Sequence, residues 1–259
     1  MKMNVNELKA YWLSEQEKAH INGWDFSYIE DRMISEEDRL PWDYAETVNK
    51  YRKDTDRLLD IDTGGGEFLL SLGHPNALTC ATEDYPPNTA LCRRKFAELG
   101  IEFCEMGDYS HMPFPDESFD IVINRHGSYD AKELFRVLKP GGVFVTQQVG
   151  DQNDRELVEM LLPGLPKKYE GHDLANNVKD FKDAGFKIIE QGEAFPHIGF
   201  TDTGALVWFA RVIEWEFIGF EVEKCFERLL AVEEEIRRNG SVGGKAHRFY
   251  LAAQKPKEQ

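Results

Sequence analysis

The sequence predicts an α/β fold built on a doubly wound, mostly parallel sheet, and three observations carry the prediction. From residue 58 onward, short apolar runs alternate with longer helical patterns, the order expected of a parallel sheet covered on both faces. The stretch "LLDIDTGGGEFLL", residues 58–70, reads as strand, glycine turn and helix start: Leu58, Leu59 and Ile61 suit a buried strand, and Gly64, Gly65 and Gly66 a turn. The chain of 259 residues is long enough to bury roughly 70–75% of its unfolded surface, as one large domain or a domain with a sizeable insertion.

The elements follow in order. Residues 1–57 are expected to form a polar, N-terminal helical cap with Tyr11, Trp12, Trp24, Phe26, Tyr28, Trp42 and Tyr44 spaced through it. Pro41 in "LPWDY" should separate two helices, because a proline keeps the preceding residue out of the helical region. The main domain is expected over 58–259. Its strands are Leu58–Ile61, "ALTCATE", "IEFCEMG", "FDIVIN", "GGVFVTQQV", "FKIIEQGEAF" and finally "HRFYLAAQ". Its helices are Phe68–Leu72, "PNTALCRRKFAELG", "DAKELFRVL", "DRELVEML" and "LANNVKDFKDAG". An insertion at about 200–245 separates the last two strands. It carries Phe200, Trp208, Phe209, Trp215, Phe217, Phe220 and Phe226, then the charged helix "EVEKCFERLLAVEEEIRR". These aromatics either pack an added helical layer against the sheet or also line a ligand pocket.

Composition narrows the partners. The net charge of −16, from 31 basic and 47 acidic residues, repels a phosphate backbone, so nucleic acid is not expected as a partner. No apolar run approaches the ~20 residues that cross a membrane, and "MKMNVNELKAYW" lacks the apolar core of a signal peptide; a cytoplasmic protein is expected. Cys80, Cys92, Cys104 and Cys225 show no C-x-x-C spacing and are expected to be reduced. The seven histidines show neither H-x-x-x-H nor H-E-x-x-H spacing, so no metal site is expected. Nothing in the sequence indicates an oligomeric state.

Two nucleotide fingerprints fail. "GSVGGKA" has neither the spacing nor the hydroxyl of a P-loop, and Leu69 stands where the dinucleotide motif G-x-G-x-x-G needs its third glycine. Glu83, however, closes the second strand 19 residues beyond Gly64, where an acid can accept from both hydroxyls of a ribose. Together, "LLDIDTGGGEF", "ATED", "GDYSHMPFPDESFDIVIN" and "FRVLKPGGVFV", in this order and spacing, resemble the class I S-adenosylmethionine-dependent methyltransferases of the small-molecule type. The resemblance is strong over about 58–150 and looser to 255. It implies a Rossmann-like sheet with an antiparallel last strand, S-adenosyl-L-methionine as cofactor and methyl transfer to a small molecule. It also implies roles: the Gly64–Gly66 turn under the methionine part of the cofactor, with Asp60 fixing the turn; Glu83 on the ribose; Asp108 on the adenine amino group, with the Tyr109 backbone nearby; and Ile123, Asn124 and Arg125 beside the sulfonium. By itself Asp108 reads as a turn-capping aspartate.

One position departs from the family pattern. Asp62 stands where the family usually has glycine. Its side chain turns away from the cofactor, pairs with the cofactor's ammonium group, or clashes with its carboxylate; the sequence leaves all three open.

In an open parallel sheet the reactive site lies off the carboxyl ends of the strands. That rule selects "NRHGSYD", "QQVGDQND" and "EAFPHIGF". His126 is the candidate general base, or else a loop histidine that shapes the cofactor pocket. Glu193 and His197 are candidate substrate contacts, and Arg125 holds an anionic group or forms a surface ion pair; His111 reads as a loop residue. Tyr28, Trp42 and Tyr44 are expected to join the insertion as a lid over a small, partly aromatic or apolar substrate, or else to pack a core. Competing readings are an rRNA or protein methyltransferase, a methyltransferase-fold protein that has lost catalysis, with Asp62 as its one supporting feature, and, last, a nicotinamide-dependent dehydrogenase.

Overall fold

The computed structural model describes residues 3–20 and 25–257; Trp24 lies outside them. In chain order the elements are α1 (Val5–Lys18), β1 (Met33–Ser35), α2 (Tyr44–Tyr51), β2 (Leu58–Ile61), α3 (Glu67–Ser71), β3 (Thr79–Glu83), α4 (Pro86–Leu99), β4 (Glu102–Glu105), β5 (Phe119–Arg125) and α5 (Ala131–Val137). There follow β6 (Leu138–Val149), α6 (Arg155–Leu161), α7 (Leu174–Asp183), β7 (Lys187–Ala194), β8 (His197–Phe200), α8 (Thr203–Val212), α9 (Phe226–Asn239), β9 (Val242–Lys245) and β10 (Arg248–Gln254). The chain divides into two compact units, each discontinuous in sequence.

One unit comprises Pro41–Gly150, Gly171–Ala194 and Arg248–Gln259. It holds a seven-stranded sheet in the order β4-β3-β2-β5-β6-β10-β7, with β10 antiparallel to both β6 and β7 and the remaining pairs parallel. This is the doubly wound, mostly parallel sheet with an antiparallel last strand. Every residue of β2 and β3 is buried, as the central strands of a sheet covered on both faces should be, including the polar Asp60, Thr79, Thr82 and Glu83. The edges are different: β4 exposes Glu102 and Glu105, and β7 exposes Lys187, Gln191 and Glu193, charged and polar side chains that discourage pairing with another chain. One core contains Phe119, Phe144, Phe181 and Phe186, with the rings of Phe144 and Phe181 stacked at 5.3 Å. The other contains Tyr44, Val48, Leu69 and Phe96 beside Leu58, Ile121 and Val145. The boundary expected at residue 57 therefore falls after Leu40: α2 buries Tyr44 and Val48 in the same core as the strands.

The second unit comprises Met1–Leu40, Asp151–Glu170 and Phe195–His247. Phe200, Trp208, Phe209, Phe217 and Phe220 are buried here with Leu8 and Trp12 of α1 and Leu157 of α6. The insertion thus builds a core with the N-terminal segment. Helix α8 is buried along almost its whole length, as an all-round apolar helix must be. A three-stranded antiparallel sheet, β1-β8-β9, completes the unit and was not expected from the sequence. A polar knot closes the N-terminal side. Arg32 donates to Glu15 at 3.2 Å, to Asp202 at 3.0 Å and to the Tyr11 hydroxyl at 2.9 Å, and Asp202 also caps α8 through the Ala205 N–H.

Candidate cofactor crevice

Strand order reverses between β2 and β5: from β2 the chain runs outward to β3 and β4, then returns to β5 and continues to β6. Ligands of open α/β sheets bind outside the carboxyl ends of the strands at such a switch point. The residues at those ends in this unit are Ile61–Gly66 after β2, Glu83–Tyr85 after β3, Gly107–Tyr109 after β4 and Arg125–Ser128 after β5.

The glycine turn is held from one side by α4. The carbonyl of Gly64 accepts from the Cys92 thiol at 3.1 Å, and that of Gly65 from Lys95 Nζ at 2.6 Å. Gly64 and Gly66 take φ of +62° and +80°, where a Cβ is strained. Their surroundings differ. A Cβ on Gly66 would lie 2.5 Å from the Phe96 ring, whereas one on Gly64 would meet nothing within 4 Å. Gly66 is thus required by packing, and Gly64 borders open space.

Four carboxyl groups gather near this turn. Asp60, at the end of β2, is 4% exposed; burial, reinforced by the charges of Asp62 and Glu83, pushes it up to about 7. Glu83 is buried and fixed: its Oε1 accepts from the N–H groups of Asp84 and Tyr85, both at 3.0 Å. Asp84 is exposed. Carboxylate oxygens of Asp62, Glu83 and Asp84 lie within 4.8 Å of one another.

Asp62 adopts φ +57°, a left-handed conformation that aspartate enters more readily than most residues. Its side chain reaches from the end of β2 to two other loops. Oδ1 accepts from the Tyr109 hydroxyl, and Oδ2 from the Ser128 N–H at 3.0 Å. A Cβ on Gly127 would lie 2.6 Å from the Asp62 Cβ, so glycine at 127 makes room for this aspartate. Burial, then Glu83 and Asp84, push the Asp62 carboxyl up to about 6, against the lowering effect of its two donors. Burial and the bond to Asp62 raise the Tyr109 phenol in turn.

Asn124 and Tyr44 serve the scaffold. The Asn124 side chain is fully buried, donates to the Ile61 carbonyl at 2.9 Å and accepts from Gln148 at 2.7 Å, tying β2, β5 and β6 together. The Tyr44 hydroxyl lies between the carbonyls of Asn124, at 2.9 Å, and Val145, at 3.2 Å. That placement contradicts a substrate contact for Tyr44, because both its ring and its hydroxyl are spent inside the protein. The Arg125 guanidinium lies over the rings of Tyr44 and Phe68, at 6.0 and 5.8 Å.

His126 has φ +61°, and its N–H donates to the Gln147 carbonyl at 2.8 Å. The Trp42 indole, which can only donate, gives its N–H to Gln147 Oε1 at 2.8 Å. This orients the amide, so Gln147 Nε2 faces His126 Nε2 as a donor at 3.3 Å. His126 Nε2 is then the acceptor nitrogen and Nδ1 carries the proton. Protein packed round the ring, then Arg248 and Arg125, lower the His126 pKa well below the ordinary value. A neutral imidazole with its lone pair already engaged is a weak general base.

Other candidates lie apart from this cluster. Both hydrogen bonds to Asp108 come from Ser110 and fall on Oδ1, the turn-capping arrangement. Glu193 is on the edge strand β7 of the sheet unit, whereas Tyr28 and His197 belong to the second unit. Tyr28 donates to Glu15 at 2.9 Å and packs on Trp208, and the ring of His197 lies against Gly199 and Gly243. Sequence reasoning missed the Tyr109 hydroxyl, Ser128 and the Trp42–Gln147–His126 chain. The one available signal was Asp62 itself, since a carboxylate in a glycine position needs donors.

Residues 59–146 match the family model described as a methyltransferase domain. A phthiotriol/phenolphthiotriol dimycocerosates methyltransferase of Mycobacterium leprae is 32% identical over 109 residues, 38% of this chain and 40% of that protein. A 24-methylenesterol C-methyltransferase 2 of rice (Oryza sativa subsp. japonica) is 30% identical over 182 residues, 60% of this chain and 46% of that protein. The chain therefore spans less than half the length of these curated relatives. Among solved structures, a protein of Bacillus halodurans C-125 described as a candidate methyltransferase superposes with a TM-score of 0.57 at 20% identity, over 83% of this chain and 99% of that one; at that identity the likeness is one of fold.

Proposed function

We propose that the protein, whose residues 59–146 match a methyltransferase domain, transfers a methyl group from S-adenosyl-L-methionine to a small, partly apolar acceptor. The observations that support the reading are the open space at Gly64, in the turn after β2, and the fixed carboxylate of Glu83 at the end of the neighbouring strand β3. These residues fit the cofactor. The Gly64–Gly66 turn lets a ligand approach backbone, and Glu83, whose Oε1 takes both backbone N–H groups, retains acceptor capacity for ribose hydroxyls on Oε2. Asp108 has an oxygen beyond its turn cap for the adenine amino group. Asp60 sits behind the turn. When bound, the cofactor supplies an activated methyl group, and the protein's task is to align a nucleophile with it.

His126, neutral and offering Nδ1–H, orients an acceptor oxygen or nitrogen rather than removing its proton. Gln147 and Trp42 hold that tautomer. The names of the similar proteins, a sterol C-methyltransferase and a methyltransferase of phthiotriol lipids, support an apolar acceptor. Four free cysteines suit a reducing, cytoplasmic compartment.

Calorimetric titration with S-adenosylmethionine and with its demethylated product tests the reading, followed by transfer of labelled methyl to a panel of apolar small molecules. Micromolar binding and labelled product are expected. Asp62 supports a second reading, loss of catalysis: no binding by the native chain but binding by Asp62→Gly would put that reading first. Bound nicotinamide in the purified protein would replace both.

A further inference from the structure

Asp62 has an unusual electrostatic setting. Among the described residues neither it nor Glu83 or Asp84 has an ion-pair partner, although their carboxylate oxygens cluster within 4.8 Å. The nearby cations are spent elsewhere: Lys95 on Gly65 and Glu67, Arg93 on Glu105, and Arg125 over two aromatic rings. The donors that hold Asp62, a phenol and a backbone amide, are neutral. Asp60 adds a fourth carboxyl from behind the turn. Partly buried, uncompensated negative charge is costly, and the cost is relieved by a cation placed among the carboxylates.

We infer that Asp62 selects for charge: its carboxylate makes the crevice prefer the cationic sulfonium cofactor to the neutral thioether left after methyl transfer, and so weakens product retention. The inference rests on the cofactor reading above. It assigns to Asp62 a role that the glycine usual at this position does not have. Glu83 is committed to ribose and to backbone donors, and Asp84 is exposed, which leaves Asp62 as the carboxylate that tunes the choice. Asp62→Asn isolates the charge. An amide can accept from Ser128 and donate to the Tyr109 hydroxyl, so volume and both bonds are kept.

The test is a set of dissociation constants for S-adenosylmethionine and its demethylated product, measured on the native chain, Asp62→Asn and Asp62→Gly, with thermal melting to verify folding. Asp62→Asn is expected to lower the preference for the sulfonium by at least about tenfold, equivalent to 1.4 kcal/mol. The native preference is also expected to shrink from about pH 8 to about pH 5.5 as Asp62 and Asp60 take up protons, while His126 and Tyr109 stay neutral. An unchanged ratio in Asp62→Asn would overturn the inference. So would equal tightening of both ligands in Asp62→Gly with the ratio preserved, which would make Asp62 a steric plug. Absence of binding by all three folded proteins would instead remove the cofactor reading, and the inference with it.

Discussion

Gly64 and Gly66 offer a matched pair of substitutions with different expected consequences. Both have positive φ, so alanine at either position carries the left-handed strain of about 1–2 kcal/mol. At Gly66 the new methyl would also lie 2.5 Å from Phe96 Cζ and 2.9 Å from Cε1, in a core where Phe96 is fully buried. Overpacking of this kind adds about 1–3 kcal/mol. Gly66→Ala is therefore expected to cost about 2–5 kcal/mol in urea denaturation, and Gly64→Ala about 1–2 kcal/mol. For a chain of this size each kcal/mol lowers Tm by roughly 2–4 °C. The order reverses for ligand binding. The Gly64 methyl enters the open space assigned to the cofactor, so Gly64→Ala should weaken S-adenosylmethionine by more than its stability loss explains, whereas folded Gly66→Ala should retain affinity. Equal stability losses in the two variants would refute the packing argument. Unchanged affinity in Gly64→Ala would refute the placement of the cofactor over this turn.

Three other outcomes are expected. Asp62 is raised from 3.8 to about 6, so between those values the native state holds a proton that the unfolded chain has released, and stability falls as pH rises through that window. Asp62→Asn should match the native chain near about pH 4 and exceed it by up to about 3 kcal/mol near about pH 8, by chemical denaturation; a variant less stable at the higher pH would contradict the sign. Nitrogen-15 NMR should show His126 neutral and protonated on Nδ1 down to about pH 5.5, and a titration midpoint at or above the ordinary histidine value would disprove the Trp42–Gln147–His126 chain. In the second unit, Arg32→Ala leaves Glu15, which is 2% exposed, without its guanidinium partner and should cost about 3 kcal/mol; a loss below about 0.5 kcal/mol would reclassify the knot as a surface pair.

The sheet was legible because its signals are local. Leu58–Ile61 followed by three glycines can hardly be anything but a buried strand and a turn, and Pro86 and Gly100 bracket α4 in the sequence as they do in space. Glu83 was legible for the same reason: its distance along the chain from the glycine turn fixes which strand end it occupies. The small sheet was not. Its strands are 3 or 4 residues long, and β1 pairs with β8 in the register Met33↔Phe200, across a sequence separation that no local pattern records.

The sequence by itself determined the mostly parallel sheet and the strand, glycine turn and helix start at 58–70, because each depends on hydrophobic periodicity and turn chemistry within a few residues. Only the tertiary structure decided what those side chains do. It brought Tyr109 and Ser128 to Asp62, set Trp42 to orient Gln147 and through it His126, and sealed the Tyr44 hydroxyl between two strands. Hydrogen bonds and charge interactions act over a few ångströms, and the groups that come within that range are set by how the strands order themselves, not by their order in the chain.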